Sequence, residues 1–529
     1  MSTETISRFI GNLPSKSTAS EDGISTILLK EIKSVISEPL RLIVNQSITT
    51  GKFPDKLKVA RVKPLFKKDD IHDVNNFRPI SVLPSISKFF EKALLIQMNA
   101  HFLDCNLFHR GQYGFREKHS TELATLELID RITNDIDQGK IPLSVFLDLS
   151  KAFDSLNHSI LLNKLRHYGI NGIALELCKD YLSNRQQFVQ HENVKSNATT
   201  LDIGVPQGSV LGPFFFLVYI NDFNNCSKYF KMINYADDTT LLTSMTVSSS
   251  LSSNPIQDSA INSELSKIHN WLLANKLCLN VKKTKFMVFH SSRRHITLPK
   301  LQINGSSIDC VDTFNYLGIY IDKHLNWNAH ISHVKRKIGH VSCILNKLKH
   351  FLPAHILKTI YNSLITCHFN YGLLIWGNKA HNLLKILKNA VRIITSSNFN
   401  AHTEPLLKQL GLLKISDIKT LNIMKFYYKF LNGQLPEYFH NGYIVLNQEF
   451  HQYNTRNRSH ISTPRVHFEL SKSTLRYQII STINECPNLI KSKFNTHSLK
   501  GIATYIKNYL LSQYSQECLV NNCRICSRG

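Results

Sequence analysis

Hydrophobic and polar residues follow two different periods along this chain of 529 residues. Within residues 83–103 and 121–136, apolar residues recur every three to four positions, which predicts amphipathic helices, the second capped by Ser120 or Thr121. Residues 57–70 instead alternate apolar with basic side chains, which predicts a strand with cations on one face. The pattern therefore predicts a chain that mixes helices and strands.

Two apolar runs lead into acidic residues. Residues 232–242 consist of two β-favouring arms around Asp237 and Asp238, which predicts a hairpin with both carboxylates at its tip. Residues 144–147 form an apolar run that ends at Asp148, so a third carboxylate is expected at the end of a strand. A lone Asp-Asp pair is also typical of a solvent-exposed turn. The second acidic strand favours the convergence of three acids.

Three converging carboxylates predict a metal site. Neighbouring acids repel each other unless a cation holds them, and oxygen-only ligands favour Mg²⁺, with Mn²⁺ as the alternative. Two such ions support in-line nucleotidyl transfer, in which one activates a primer 3′-hydroxyl and the other steadies the triphosphate. Between the acidic strands, Gly204, Pro206 and Gly208 precede a predicted helix. They would let the backbone approach a template base or a nucleotide closely.

The acidic and glycine-rich segments together resemble a known family. Residues 146–154 (FLDLSKAFD), 204–209 (GVPQGS) and 235–238 (YADD) resemble motifs A, B and C of reverse transcriptases. The sequence around them resembles the jockey-like branch of non-LTR (LINE-type) retrotransposons. Further agreement comes from four segments: residues 76–81, 111–116, 283–285 and 314–318, the last similar to the primer grip of the family. The resemblance covers about residues 10 to 400.

The resemblance implies an α+β fold of the right-hand polymerase type. Fingers and palm would combine an antiparallel sheet with helices, followed by a helical thumb and a mainly helical C-terminal region. The implied divisions are an N-terminal lead-in at 1–60, fingers and palm at 61–325, a thumb at 326–400, and a basic C-terminal region at 401–529.

The resemblance also implies roles for individual residues. Asp148, Asp237 and Asp238 would be catalytic metal ligands, and Lys283 would protonate the departing pyrophosphate, with Lys282 or Lys285 as alternatives. Substrate-binding roles fall on six residues. Lys63 and Arg78 would line the triphosphate path, Phe153 would lie beneath the sugar and select dNTPs, and Gln207 would lie near the templating pair. Gly208 and Tyr235 are the other two substrate-binding residues. The alternatives are a solvated surface for the lysines, a core position for Phe153 and a plain basic hairpin around Lys283.

Composition and charge agree with a nucleic-acid enzyme. The chain is 43% hydrophobic and 19% charged, which excludes an intrinsically disordered protein. Its formal net charge is +25, and the part from Lys323 onward holds 27 basic against 7 acidic residues. A cationic surface of this kind suits a phosphate backbone, although a generally basic protein would share the feature.

Cysteine usage and hydropathy indicate the cellular location of the protein and whether its cysteines form a metal site. Eleven cysteines without a paired framework, and a start without the parts of a signal peptide, predict an intracellular, reduced protein that is not secreted. The resemblance implies a location in the nucleus and in a cytoplasmic ribonucleoprotein. The most apolar run, residues 210–220, is too short to span a bilayer, so no membrane is expected as a partner. Cys518, Cys523 and Cys526 lack an assigned fourth ligand, with His497 the one candidate. Ordinary reduced cysteines are therefore expected there rather than a Zn²⁺ site.

The predicted function is that of an RNA-directed DNA polymerase. Its implied partners are template RNA, primer DNA and dNTPs, and an endonuclease that acts in trans or in an upstream domain missing from this sequence. One alternative is an RNA-dependent RNA polymerase, against which Phe153 and the Tyr235–Asp238 context argue. The other is a truncated or domesticated remnant that binds RNA without activity.

Overall fold

The computed structural model describes the chain except for residues 18, 193, 246–254, 295, 441, 451–459 and 516–529. Cys518, Cys523 and Cys526 therefore lie outside the described residues. The chain begins with three helices, α1 (Thr3–Gly11), α2 (Thr26–Glu31) and α3 (Lys33–Thr50). Their buried residues Ile6, Leu29 and Val44 share a hydrophobic core with Phe89, so this segment packs against the body that follows.

Residues 59–245 alternate between strands and helices. The elements are β1 (Val59–Phe66), β2 (Phe77–Val82), α4 (Ser85–Asp104), α5 (Thr121–Asp137), β3 (Ile141–Leu147), β4 (Leu149–Ser150), α6 (His158–His167), α7 (Gly172–Leu182), β5 (Arg185–His191), β6 (Val194–Lys195), β7 (Thr199–Leu201), α8 (Gly212–Ile220), β8 (Lys231–Tyr235) and β9 (Asp238–Met245). The two helices expected from periodicity are α4 and α5, and the Ser120 side chain caps α5 by accepting from the Leu123 N–H.

The following part adds short strands and two long helices. The elements are α9 (Pro255–Ala274), β10 (Cys278–Leu279), β11 (Lys285–Val288), β12 (Gln302–Ile303), β13 (Ser306–Ser307), β14 (Asp309–Cys310), β15 (Thr313–Tyr316), β16 (Ile319–Asp322) and α10 (Asn328–Leu348). The central sheet has the order β14-β11-β3-β9-β8, and all of its pairs are antiparallel except β11 with β14. Its middle strand β3 is buried along its whole length, as expected for a strand covered on both faces.

A second sheet has the order β2-β1-β5-β6, with β7 paired to β5. In this sheet β1 is antiparallel to β2 and parallel to β5. The strand predicted over residues 57–70 is β1, which is shorter than the alternating pattern because residues after Phe66 leave the sheet.

The remainder is helical among the described residues. The helices are α11 (Ala354–Tyr361), α12 (Cys367–Asn370), α13 (Leu373–Trp376), α14 (Leu384–Ile394), α15 (Thr403–Leu410), α16 (Ile415–Leu431), α17 (Asn447–Phe450), α18 (Glu469–Lys472), α19 (Leu475–Asn484), α20 (Asn488–Lys491) and α21 (Leu499–Ser512). Among all the described residues of the chain, no helix is both long enough and apolar enough to cross a bilayer.

One hydrophobic core joins the central sheet to these helices. It contains Phe146 and Met287 from the sheet, Ile338 from α10, Trp376 from α13 and Ile479 from α19. The α+β class with an antiparallel sheet and a mainly helical second half is therefore confirmed. The divisions at residues 325 and 400 stay predictions, since the same core crosses both positions.

Candidate active site

The two adjacent acids lie at the tip of a hairpin, at one end of the central sheet. Strands β8 and β9 pair antiparallel with Tyr235 opposite Asp238, so Ala236 and Asp237 form the two-residue turn. Ala236 has a φ of 56°, in the left-handed region that such tight hairpin turns require. The turn holds Asp237 at the tip, and Asp238 is the first residue of β9.

Asp148 reaches the same end of the sheet from β3. In the antiparallel pairing of β3 with β9, Leu147 lies opposite Thr239, so the next position along β3 brings Asp148 beside Asp238. Cα atoms of such neighbours are typically about 5 Å apart. The Asp148 backbone carbonyl also accepts a hydrogen bond of 2.8 Å from the Asn280 N–H, which fixes the strand end. The structure therefore brings the three predicted acids together.

The charges of the three acids affect one another. Burial raises the pKa of Asp237, the charge of Asp148 adds to this effect, and the Arg78 guanidinium opposes it. Burial and the charges of Asp237 and Asp148 raise the pKa of Asp238 to about 6. A nearby cation would relieve this repulsion, because it favours the ionised form of both groups.

The donor chemistry fits a hard divalent cation, because the donors at this end of the sheet are carboxylate oxygens. Among the described residues, however, no three His, Cys, Asp or Glu side chains stand in a set already arranged to hold a metal ion. The three carboxylates are therefore neighbours whose side chains would have to turn toward a shared ion.

Lys283 lies beside the acidic cluster. Its Nζ is 3.9 Å from Asp148 Oδ2, and the two side chains are 69% and 41% exposed. An ion pair with this exposure contributes little to stability because water screens it. The structure thus brings Lys283 to the site, whereas Lys285 pairs with Asp309 at 2.6 Å, away from the acids.

The glycine-rich loop that precedes α8 is clamped between two other segments. Gly204 and Gly208 have φ values of 79° and 122°. A Cβ at Gly204 would lie 2.6 Å from the Asp154 carbonyl oxygen, and one at Gly208 would lie 2.7 Å from the Ser81 carbonyl oxygen. Both positions therefore need glycine for conformation and for close approach. The Ser81 N–H also donates to the Gln207 carbonyl at 2.8 Å.

Gln207 is oriented by Asp154, to which the sequence analysis assigned no role. Its Nε2 donates to both carboxylate oxygens of Asp154, at 2.8 and 2.9 Å. Burial raises the pKa of Asp154, against the opposing effects of Gln207, Lys151 and Lys67. Because both donor contacts go to Asp154, the carbonyl oxygen of Gln207 is the group left for a ligand.

Phe153 packs at the edge of a hydrophobic core. Its half-buried ring stacks on Phe216 with centroids 4.6 Å apart and meets the edge of Phe115 at 6.2 Å. These contacts hold the Phe153 ring in place but leave part of it exposed. Such a ring could serve the core or contact a sugar, so its selective role stays a prediction.

The basic residues predicted for the triphosphate path share one face of β1 and β2. Lys63 lies opposite Ile80, and Arg78 lies opposite Leu65. Directly opposite residues of antiparallel strands point to the same face, so Lys63 and Arg78 lie on one side. Both side chains are exposed. Of the two, Arg78 is the one whose charge reaches Asp237.

Two buried polar residues near the site were not predicted. Glu91 accepts hydrogen bonds from the Val210 and Leu211 N–H groups at the start of α8. Gln112 accepts one from the Ala236 N–H in the acidic turn. Residues 111–116 were recognised as a segment, but only the packed structure shows which of their side chains meets the turn.

Comparison with known proteins finds a family that the central segment matches. Residues 66–321 match the family described as "Reverse transcriptase (RNA-dependent DNA polymerase)". The chain is 28% identical over 448 residues to the RNA-directed DNA polymerase from mobile element jockey of Drosophila melanogaster, covering 81% of this chain and 47% of that protein. It is 27% identical over 439 residues to the probable RNA-directed DNA polymerase from transposon BS of the same species, covering 78% and 47%.

The chain thus spans about half the length of these curated relatives. Among solved structures, apo telomerase from Candida tropicalis is similar at 12% identity with a TM-score of 0.38, over 71% of this chain and 70% of that one.

Proposed function

Since residues 66–321 match the reverse transcriptase family and the chain is similar to the jockey polymerase, we propose that the protein is an RNA-directed DNA polymerase of the jockey-like, non-LTR retrotransposon group. It would copy element RNA into DNA from a primer 3′-hydroxyl. The observation that carries the proposal is the meeting of Asp148, Asp237 and Asp238 at one end of the central sheet.

Two Mg²⁺ ions, with Mn²⁺ as the alternative, are the proposed cofactors. Asp148, Asp237 and Asp238 would hold them, and the raised pKa values of Asp237 and Asp238 support this because a cation would offset the repulsion. When bound, such ions supply a stronger nucleophile and neutralise charge on the leaving group.

The chain's own residues would bind and orient the nucleotide. Arg78 and Lys63 would contact its phosphates, with Arg78 able to bind two oxygens at once. Phe153 would lie beneath the sugar, and Gln207 would present its carbonyl oxygen. Lys283, beside Asp148, would hold the proton that the departing pyrophosphate takes up.

Further contacts with the substrates would come from Gly208 and Tyr235. Template RNA and primer DNA would bind the basic second half of the chain. Target cleavage would belong to an endonuclease acting in trans or in an upstream domain. The proposed location is the nucleus and a cytoplasmic ribonucleoprotein.

Primer extension tests this function. The purified protein, given an RNA template, a DNA primer and Mg²⁺ or Mn²⁺, should extend the primer with dNTPs and discriminate against rNTPs. Asp237→Ala should lower kcat by more than roughly 100-fold. A loss of up to that size is typical for residues that only hydrogen-bond to a metal ligand, whereas Asp237 is proposed to be a ligand itself. Asp312→Ala, an exposed acid paired with Lys323, is the control and should keep near-normal activity. Absence of extension by the unaltered protein with either metal would contradict the proposal, and preference for rNTPs would indicate an RNA polymerase.

A further inference from the structure

We propose that Gln112 is a positioning residue that holds the Ala236–Asp237 turn in its left-handed form and thereby fixes Asp237 beside Asp148. The inference rests on the proposed function in assigning a catalytic purpose to this turn. Its structural part, that Gln112 maintains the turn, stands on contacts that do not depend on the reaction.

The segment that carries Gln112 lies along the hairpin like an additional strand. The Asn234 N–H donates to the Gly111 carbonyl at 2.8 Å, and the Tyr113 N–H donates to the Asn234 carbonyl at 2.7 Å. Gln112 and Asn234 thus form an isolated parallel bridge. The backbone on both sides of Gln112 is therefore tied to the strand that leads into the acidic turn.

Two glycines show how closely this segment approaches the turn. A Cβ at Gly111 would lie 2.3 Å from the Met232 carbonyl oxygen, and one at Gly114 would lie 2.3 Å from the Ala236 nitrogen. Contacts that short leave no room for any side chain. The spacing Gly-x-x-Gly therefore places Gln112 between two points of backbone contact with the hairpin.

The Gln112 side chain spans the gap to the turn itself. It is 3% exposed, and its Oε1 accepts from the Gly114 N–H at 2.7 Å and from the Ala236 N–H at 3.1 Å. Its Nε2 has no hydrogen-bond partner among the described residues. The position of the Gln112 side chain therefore satisfies its acceptor oxygen and leaves its amide donor unpaired.

The turn needs such an acceptor. Ala236 is buried and has a φ of 56°, a conformation that disfavours residues with a Cβ. Without Gln112 Oε1 its N–H would lose the only side-chain acceptor that it has among the described residues, and a buried unpaired donor is costly. The turn would then relax, and the Asp237 carboxylate would move relative to Asp148.

The test compares two buried glutamines. Gln112→Leu keeps the side-chain volume and removes the acceptor. Gln478→Leu is the matched control, because Gln478 is 9% exposed, also has one paired and one unpaired amide atom, and lies on α19. Both variants would be compared with the unaltered protein by thermal unfolding, by amide hydrogen exchange of residues 232–241, and by steady-state primer extension.

We expect both variants to lose similar thermal stability, whereas only Gln112→Leu speeds amide exchange in residues 232–241. Its kcat should fall by about 10- to 100-fold with KM for dNTP changed by less than about 3-fold, since an orphaned buried donor costs this much and the nucleotide contacts remain. In an Ala236→Gly background the same substitution should cost at least about 5-fold less, because glycine adopts the turn conformation without strain.

Unchanged exchange of residues 232–241 in Gln112→Leu would overturn the inference, whether or not the protein is active. An equal loss of kcat in Gln478→Leu, or an undiminished loss in the Ala236→Gly background, would also overturn it. Inactivity of the unaltered protein would instead contradict the proposed function, and the exchange experiment would still decide what Gln112 does.

Discussion

Asp238 illustrates how packing and charge act together on one side chain. Its pKa rises to about 6 through burial and through the charges of Asp237 and Asp148. A carboxyl group with a raised pKa gains its proton at a higher pH than usual, so the site loses negative charge as the pH falls through about 6. In its proposed role as a Mg²⁺ ligand Asp238 has to be ionised, so protons would compete with Mg²⁺ at this residue.

We predict that the apparent affinity for Mg²⁺ weakens by up to about tenfold for each pH unit below about 6, as one proton must leave for each ion that binds. Mg²⁺ titrations of the substrate-free protein, followed by thermal shift at about pH 5 and about pH 8, would measure this. Asp238→Asn cannot take up the proton and should show a flatter dependence. Equal affinities at the two pH values would contradict the prediction.

At the scale of elements, the loop that precedes α8 depends on a buried charge from another helix. Glu91 on α4 is fully buried, and its Oε2 accepts from the N–H groups of Val210 and Leu211. Burial raises the pKa of Glu91, while the Arg185 guanidinium and the hydrogen bonds oppose that rise. Arg185 on β5 is also buried and its charge acts on Glu91, so α4, β5 and the loop are linked electrostatically inside an apolar core.

We predict that Glu91→Ala lowers the free energy of unfolding by about 3–5 kcal/mol, because it leaves the Val210 and Leu211 N–H groups without their acceptor and removes the charge that offsets buried Arg185. Urea-induced unfolding would measure the change. Glu176→Ala removes an exposed pair with Lys179 and should cost less than about 1 kcal/mol. A loss for Glu91→Ala no larger than that of this control would show that the buried contact is not needed.

The elements themselves were largely predictable from the sequence, because their signals are local. The periodicity that predicts α4 and α5, and the Ser120 cap, depend on neighbours within a few residues. The acidic hairpin was predictable for the same reason. Gln112, Glu91 and Asp154 were not, since each acts on a backbone or side chain far away in sequence. A local sequence pattern does not show which distant residue will be the partner.

At the scale of the whole molecule, the helices after residue 321 pack directly on the segment that matches the reverse transcriptase family. The Tyr443 hydroxyl donates to Asp130 Oδ2 at 2.5 Å in a buried contact with α5. Asp137, at the end of the same helix, accepts from the N–H groups of His467 and Phe468 and from the Ser471 hydroxyl at 2.6–3.0 Å. The C-terminal region therefore supports a helix that packs against the central sheet.

The burial of Asp130 beneath Tyr443 should make the stability of this packing depend on pH. Burial raises the pKa of Asp130 to about 7, well above its ordinary value. The folded protein then binds more protons than the unfolded chain between about pH 4 and about pH 7, so the contribution of Asp130 to stability is present at low pH and is lost as the pH rises through about 7.

We predict that Tyr443→Phe lowers the free energy of unfolding by about 1–3 kcal/mol, since it removes the donor that faces a buried carboxyl group. The loss should be larger at about pH 8 than at about pH 6, because a hydrogen bond to an ionised carboxylate is stronger than one to its protonated form. Urea-induced unfolding at both pH values measures it. Tyr229→Phe, whose side chain is 37% exposed, should change stability by less than about 0.5 kcal/mol. If Tyr443→Phe matched this control at both pH values, the packing of the C-terminal region on α5 would have to rest on its apolar contacts and on the hydrogen bonds to Asp137.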